Sequence, residues 1–135
     1  MLHSPAIAIR QPCPPGACEC ERDALLEVAG ADIRILRLTR EEEKALIERI
    51  EAIASYEQLQ RMINKLQENL GVTLRITPSA RGVRTIMGLN IQLEQRPGLC
   101  RKTRQTIPAA VRRCLGQHED IVFAILDAHD LLGAP

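Results

Sequence analysis

Between Thr39 and Gly71, apolar residues recur every three or four positions in two consecutive runs. Thr39 and Glu42 form a capping box at the start of the first run, and Ser55 and Gln58 repeat that signal at the start of the second. Gly71 stands where a helix commonly ends in the left-handed conformation. The pattern predicts two helices joined by a tight turn at Ser55, which is an αα-hairpin.

After this hairpin the apolar residues alternate with a period of two. Alternation over residues 72–77 and again over residues 85–94 predicts a β-hairpin with one face exposed to water. Segment 32–38 is rich in β-branched and apolar residues, so it is a candidate for a third strand. Its alternation slips, however, between Ile35 and Leu36.

The C-terminal third returns to helical spacing. Thr106 is the expected N-cap of one helix, with Pro108 in its first turn, and Gly116 ends that helix. His118 is expected to cap a last helix over residues 119–132, whose apolar residues lie nearly all round and predict a buried position, with a strand as the alternative. These two helices form a second αα-hairpin.

The predicted architecture is therefore α+β. A small antiparallel sheet packs against two αα-hairpins, and an irregular arm rich in cysteine and proline precedes them. The arm covers residues 1–20, and residues 21–135 form one domain, as the length of 135 residues and the apolar content of 45% lead us to expect. Tyr56 and Phe123 are the only aromatic residues among Phe, Trp and Tyr, so the core is expected to be aliphatic. Their scarcity argues against a platform for stacking nucleic-acid bases.

The chain has no segment that approaches the ~20 apolar residues of a membrane-spanning helix. Its N-terminal stretch lacks the basic region of a secretory signal. Five cysteines in a chain without such a signal favour a reducing compartment. We therefore expect a cytoplasmic protein that does not associate with a membrane.

A cluster of three thiols is the most distinctive chemical feature. Cys13, Cys18 and Cys20 lie close together in the arm, around two prolines and a glycine that would bend the chain back on itself. Such a turn brings sulfur ligands together at low entropic cost, which favours a metal site. A fourth ligand must come from elsewhere, and Cys100, in a loop, is the first candidate. The other candidates are His3, His118 and His129.

The pattern of cysteines indicates the position of a metal site more clearly than the identity of the metal. The C-x4-C-x-C spacing matches neither the paired C-x2-C of zinc ribbons nor the spacing of plant-type ferredoxins. We favour zinc, with an iron–sulfur cluster, a thiol redox site and cysteines of no specific role as the alternatives.

The two remaining cysteines call for different interpretations. Cys114 shares a helix face with apolar residues, so we expect it in the core. Cys100 is followed by Arg101, Lys102 and Arg104, which would stabilise a thiolate, so it is a candidate reactive thiol as well as the remote ligand. An incidental loop cysteine is the alternative.

Catalytic and nucleotide-binding signatures are absent from the sequence. It contains no nucleophile elbow, no HExxH motif, no GxGxxG fingerprint and no phosphate-binding loop. We therefore expect a non-enzymatic protein without a nucleotide cofactor.

Charge is distributed unevenly along the chain. Residues 73–115 contain nine basic residues and one acid, although the net charge of the whole chain is only +1. A partner that carries phosphates or carboxylates would suit the arginines of this stretch, and internal or dimeric ion pairing is the alternative. A protein partner or self-association is favoured over nucleic acid. The residues expected to form this face are Arg96, Arg101, Lys102, Arg104, Arg112 and Arg113.

The combined prediction is a small non-enzymatic zinc-binding protein. Its ligands would be Cys13, Cys18, Cys20 and Cys100, and it would act as an adaptor or regulatory protein that presents an arginine-rich face to a macromolecular partner. One alternative is an iron–sulfur redox or electron-transfer accessory protein. The other is a nucleic-acid-binding protein whose cysteines are irrelevant.

Overall fold

The computed structural model describes residues 9–79 and 88–133. Five α-helices, one 3-10 helix and a two-stranded antiparallel sheet are found in these residues, so the fold is α+β as predicted. Residues 1–8, which include His3, and residues 80–87, which include the start of the second predicted strand, lie outside the described part. In chain order the elements are α1 (Arg22–Glu27), the 3-10 helix (Arg34–Arg37), α2 (Arg40–Glu51), α3 (Tyr56–Leu70), β1 (Leu74–Pro78), β2 (Leu89–Leu93), α4 (Arg101–Gly116) and α5 (Glu119–Gly133).

Helices α2 and α3 begin at the predicted caps, and α3 ends at the predicted glycine, whereas α2 ends at Glu51, before the expected turn at Ser55. Thr39 Oγ1 accepts a hydrogen bond from the backbone N–H of Glu42, and Ser55 Oγ accepts one from the N–H of Gln58, each at 3.2 Å. Gly71 ends α3 with φ of 68°, a conformation that costs glycine little. Side-chain capping at both N-termini satisfies backbone donors that have no partner within the helix.

The β-hairpin has the predicted exposed and buried faces. Leu74 pairs with Leu93, and Ile76 pairs with Ile91, in an antiparallel register. Apolar residues of β2 at alternate positions are buried, while Asn90 and Gln92 between them are exposed. The apolar face packs against α4 and α5, which encloses an aliphatic core.

The expectation of a third strand over residues 32–38 is wrong. Arg34–Arg37 forms a 3-10 helix instead. The break in alternation explains why: Ile35 and Leu36 are adjacent and both are 0% exposed, whereas a strand would point them to opposite faces. A single tight turn buries both side chains in the same core.

Helix α4 begins earlier than predicted. It starts at Arg101 with Cys100 as the N-cap residue, so Pro108 lies inside the helix and Thr106 does not cap it. The Thr106 and Thr103 hydroxyls instead donate to the Glu43 carboxylate of α2. This pairing between helices is not encoded in local spacing, which is why the local signal at Thr106 was misleading.

The core is aliphatic, and Cys114 belongs to it as predicted. Its side chain is 3% exposed, and its Sγ donates to the carbonyl oxygen of Ile53 at 3.2 Å. Although α2 and α3 share the turn at Ser55, α2 packs mainly against α4, and α3 packs against the 3-10 helix, β1 and α5. Within the described residues, no helix is both long and apolar enough to cross a membrane.

Candidate metal centre

The arm folds back on itself at its proline-glycine turn. Gly16 has φ of 77°, and the backbone N–H of Ala17 donates to the carbonyl of Pro14 at 3.0 Å. This turn reverses the chain between Cys13 and Cys18, so that sulfurs on either side of it meet. The arm therefore supplies three of the four sulfurs from one short stretch of sequence.

The loop before α4 supplies the remaining cysteine. The N–H of Gly98 donates to the carbonyl oxygen of Cys20 at 2.6 Å, which joins this loop to the arm. Gly98 has φ of 89°, and a Cβ there would lie 2.7 Å from a side-chain carbon of Ile35. A glycine is thus needed for the close approach of the loop to the core, and that approach brings Cys100 to the arm.

The four sulfurs form one compact group. All four candidate sulfur atoms lie within 4.8 Å of one another, an arrangement that could hold a metal ion. Cys13 Sγ is 3.9 Å from Cys20 Sγ and 3.6 Å from Cys100 Sγ. Cys20 and Cys100 are buried, and Cys13 and Cys18 are half-buried. Cys100 therefore lies at the arm, with its sulfur beside those of the other three cysteines.

Electrostatics differ among the four thiols. Burial raises the pKa values of Cys13 and Cys100. Burial acts in the same direction on Cys18, but a hydrogen bond from the backbone N–H of Arg101 and bonds with the other three thiols outweigh it and lower its pKa to about 7. The first turn of α4 thus stabilises negative charge on one sulfur, as helix N-termini generally do.

Arg10 is a member of the site that the sequence analysis missed. Its Nη2 donates to Cys20 Sγ at 3.5 Å. Its backbone N–H donates to the carbonyl of Leu36 at 2.7 Å, and its own carbonyl accepts from Nε of Arg22 at 2.6 Å. The Nε of Arg10 is buried without a hydrogen-bond partner. The half-buried guanidinium of Arg10 forms no ion pair with a residue that the structure describes, and it suits a position beside a cluster of thiolates because its charge offsets theirs.

A signal for Arg10 was present in the sequence. It is the only Lys or Arg in the first 20 residues and lies three positions before Cys13. Its role depends on contact with Leu36, a residue that only the fold brings near.

The histidines take no part in the site as the structure describes it. The four-sulfur group includes neither His118 nor His129. His129 Nε2 lies 3.3 Å from the carbonyl oxygen of Ile76, at the sheet. The remaining candidate, His3, lies outside the described residues.

The predicted arginine-rich face divides into two groups. Arg96 is directed inward, where Nη1 donates to the carbonyl of Gly71 at 2.7 Å and Nη2 to the carbonyl of Asp32 at 2.9 Å. Arg113 pairs with Glu51 of α2 at 2.7 Å. The other predicted members all lie on α4 and form no ion pair with a residue that the structure describes: Arg101, Lys102 and Arg112 are exposed, and Arg104 is half-buried.

Comparison with protein-family models, with curated proteins and with solved structures found no match for this chain. Function is therefore inferred from the geometry of the cysteine site and from the charges on its neighbouring helix.

Proposed function

We propose that Cys13, Cys18, Cys20 and Cys100 bind one structural zinc ion that ties the N-terminal arm to the start of α4. The observation that carries this proposal is the spacing of the sulfurs. An ion held tetrahedrally by thiolates at about 2.3 Å places neighbouring sulfurs about 3.8 Å apart. The two Cys13 distances, 3.6 and 3.9 Å, lie on either side of that value.

The same spacing favours one ion over a polynuclear iron–sulfur cluster. In such a cluster the cysteines bind different irons, with bridging sulfides between them, so their sulfurs stand farther apart than the ligands of a single ion. A group in which every pair lies within 4.8 Å leaves little room for that core. Zinc is preferred to a single iron because a four-thiolate tetrahedral site is its common structural form.

A structural role is favoured over a catalytic one. Four protein ligands fill the coordination sphere of zinc, whereas catalytic zinc sites keep one position open for water or substrate. The Arg10 guanidinium and the Arg101 N–H supply the surrounding hydrogen bonds that structural sites use to offset thiolate charge. The proposed zinc ion therefore takes no part in catalysis.

The proposed adaptor role uses the exposed face of α4. Because Cys100 is the N-cap residue of this helix, the metal would fix the orientation of Arg101, Lys102 and Arg112, whose charges are unpaired within the described residues. These groups suit an acidic protein surface or a second copy of the chain. The α4 arginines have no aromatic residue beside them on the helix to stack bases, which makes nucleic acid the less favoured partner.

Metal analysis of the purified, reduced protein tests the zinc proposal. We expect about one zinc per chain and no visible absorption, and cobalt in place of zinc should give the bands of a tetrahedral thiolate complex. Cys100→Ser should lose its zinc to a mild chelator that leaves the wild type loaded. Cys114→Ser makes the same chemical change outside the site and should keep its zinc. A chain that takes up neither metal, or an iron chromophore in the isolated protein, contradicts the proposal.

The partner proposal needs a separate measurement. If the partner is a second copy of the chain, the sedimentation coefficient should show self-association that Arg112→Glu abolishes. If the chain is a monomer, it should bind an acidic polypeptide, and Arg112→Glu should weaken that binding. Titration with single- and double-stranded nucleic acid at low salt tests nucleic acid as the alternative partner. Nucleic-acid binding that falls steeply with salt and is lost in Arg101→Ala would overturn the preference for a protein partner.

A further inference from the structure

A groove lies between α2 and α3 and is lined by residues of both helices and of the segment that ends the 3-10 helix. The groove is present because α2 packs against α4, whereas α3 packs against the 3-10 helix and α5. The floor is apolar and consists of Leu38, Leu46, Met62, Leu66 and Leu70. Its volume is about 410 Å³, which falls within the ~300–1,000 Å³ usual for small-molecule sites.

The rim of this α2/α3 groove is basic. Arg37, Arg49 and Lys65 line it, against a single acid, Glu42. All four are exposed, and none of the three cations forms an ion pair with any part of the chain that the structure describes. Arg113, by contrast, is paired with Glu51. The groove therefore combines an apolar floor with unneutralised positive charge.

One wall of the groove is held in place before any ligand binds. Arg34 Nη1 donates to the carbonyls of Gln67 and Glu68 at 3.2 and 2.8 Å, which fastens the 3-10 helix to the last turns of α3. Asp32 binds the same guanidinium at 2.7 Å. Arg37 and Leu38 come a few residues after Arg34 in the chain, so the contacts of Arg34 also fix their positions at the groove. A preformed site loses less affinity to ordering than a flexible one.

We propose that the α2/α3 groove binds a small amphiphilic anion, an aliphatic chain that ends in a carboxylate or phosphate group. The chain would lie on the apolar floor, and the acid group would pair with Arg49, Lys65 or Arg37 at the rim. This site is separate from the cysteines and goes beyond the proposed zinc function.

The dimensions favour a small molecule over a partner helix. The α2 residues that line the groove run from Glu42 to Arg49, which is about two helical turns or 10 Å. A docked helix needs apolar anchors over a longer span to repay the loss of its freedom. An aliphatic chain of about eight carbons fits the shorter span.

Soluble probes below their micelle concentration test the proposal on the wild-type chain. Octanoate and octyl phosphate are the expected ligands, 1-octanol lacks the charge, and acetate and inorganic phosphate lack the chain. Amide resonances of the groove residues should shift saturably with octanoate and octyl phosphate. Calorimetry should show affinity on the order of tenfold higher than for 1-octanol. Equal binding of 1-octanol, or no saturable shift at millimolar octanoate, would overturn the assignment.

Charge reversal locates the site. Arg49→Glu with Lys65→Glu should weaken octanoate on the order of tenfold or more. Lys44→Glu with Arg61→Glu reverses the same charges on the same two helices outside the groove and should change the affinity less than twofold. Thermal melts show whether both variants fold. The comparison of ligands on the wild-type chain does not depend on either variant. Equal loss in both variants, or binding to anionic phospholipid vesicles without binding of octanoate, would refute the groove as the site of a free amphiphile.

Discussion

Removal of the metal is expected to destabilise the protein through the position of Cys100. In the unfolded chain, Cys13, Cys18 and Cys20 are close in sequence and can hold zinc together. The fourth thiol is separated from Cys13 by 87 positions. The fold already holds Cys100 at the arm. In the unfolded chain, by contrast, the long segment between Cys13 and Cys100 must form a closed loop before all four thiols can bind one ion.

The expected magnitude follows from this loop. Closing about 87 residues costs roughly 4.5 kcal/mol at 25 °C by the chain-entropy relation used for cross-links. Zinc should bind the folded chain more tightly than the unfolded chain by up to about this amount, and by linkage that difference is added stability. For a chain of this size, about 4.5 kcal/mol corresponds to a fall in Tm of roughly 16 °C on chelation.

Thermal unfolding with and without a chelator, under reducing conditions, measures this effect. Wild type should show the full shift. In Cys100→Ser the shift should shrink to about 3 °C or less, because the three local thiols bind zinc about equally in both states. Cys114→Ser should have a lower Tm, since it places a hydroxyl in the core, but should keep the full shift. An undiminished shift in Cys100→Ser would show that Cys100 does not link zinc to folding, and a wild type that is insensitive to chelation would show that zinc does not stabilise the fold.

Three other substitutions test Arg10 at the site and, away from it, the glycine that ends α3 and the ion pair of Asp32. Arg10→Ala should weaken zinc binding about 10- to 100-fold in a competition assay, because its guanidinium offsets thiolate charge; unchanged affinity would contradict that role. Gly71→Ala should lower the free energy of unfolding in urea by about 2 kcal/mol, because φ is +68° and a Cβ would lie 2.3 Å from Nη1 of Arg96; an unchanged midpoint would count against it. The Arg34 hydrogen bond is the main cause that lowers the pKa of Asp32, so this carboxylate stabilises the fold above about pH 4 and the contribution is lost as the pH falls. In metal-free protein, Asp32→Asn should therefore cost at most about 1 kcal/mol at pH 7 and progressively less toward pH 2, and a difference that grows in acid would refute this.

Local patterns predicted much of the fold. Capping signals at Thr39 and Ser55 and the change of period after Gly71 placed α2, α3 and the β-hairpin, because each depends on residues a few positions apart. The start of α4 was misplaced because Thr106 bonds Glu43, 63 positions away. Long-range pairing of that kind leaves no trace in the spacing of apolar residues.

The four sulfurs that meet in the structure are those that the sequence singled out. Three were clustered around a turn, and Cys100 was distinguished from Cys114 by its place in a loop. Arg10 could not be assigned in the same way, because its contact with Cys20 depends on how the arm lies along the 3-10 helix. Residue type and spacing therefore identify the candidate ligands, whereas the groups that contact those ligands are determined by the packing of the folded chain.

The arm and the basic helix meet at one peptide unit. Arg101 carries both the backbone N–H that lowers the pKa of Cys18 and the first exposed side chain of the α4 basic face. Cys100 precedes it as the N-cap residue, and the loop before it binds the carbonyl of Cys20. Because adjacent residues serve the metal and the surface, a change in ligation at Cys100 cannot leave the first turn of α4 unaffected. Zinc occupancy and partner binding, if both proposals hold, are therefore expected to be linked through this turn, while the core around Cys114 remains outside that linkage.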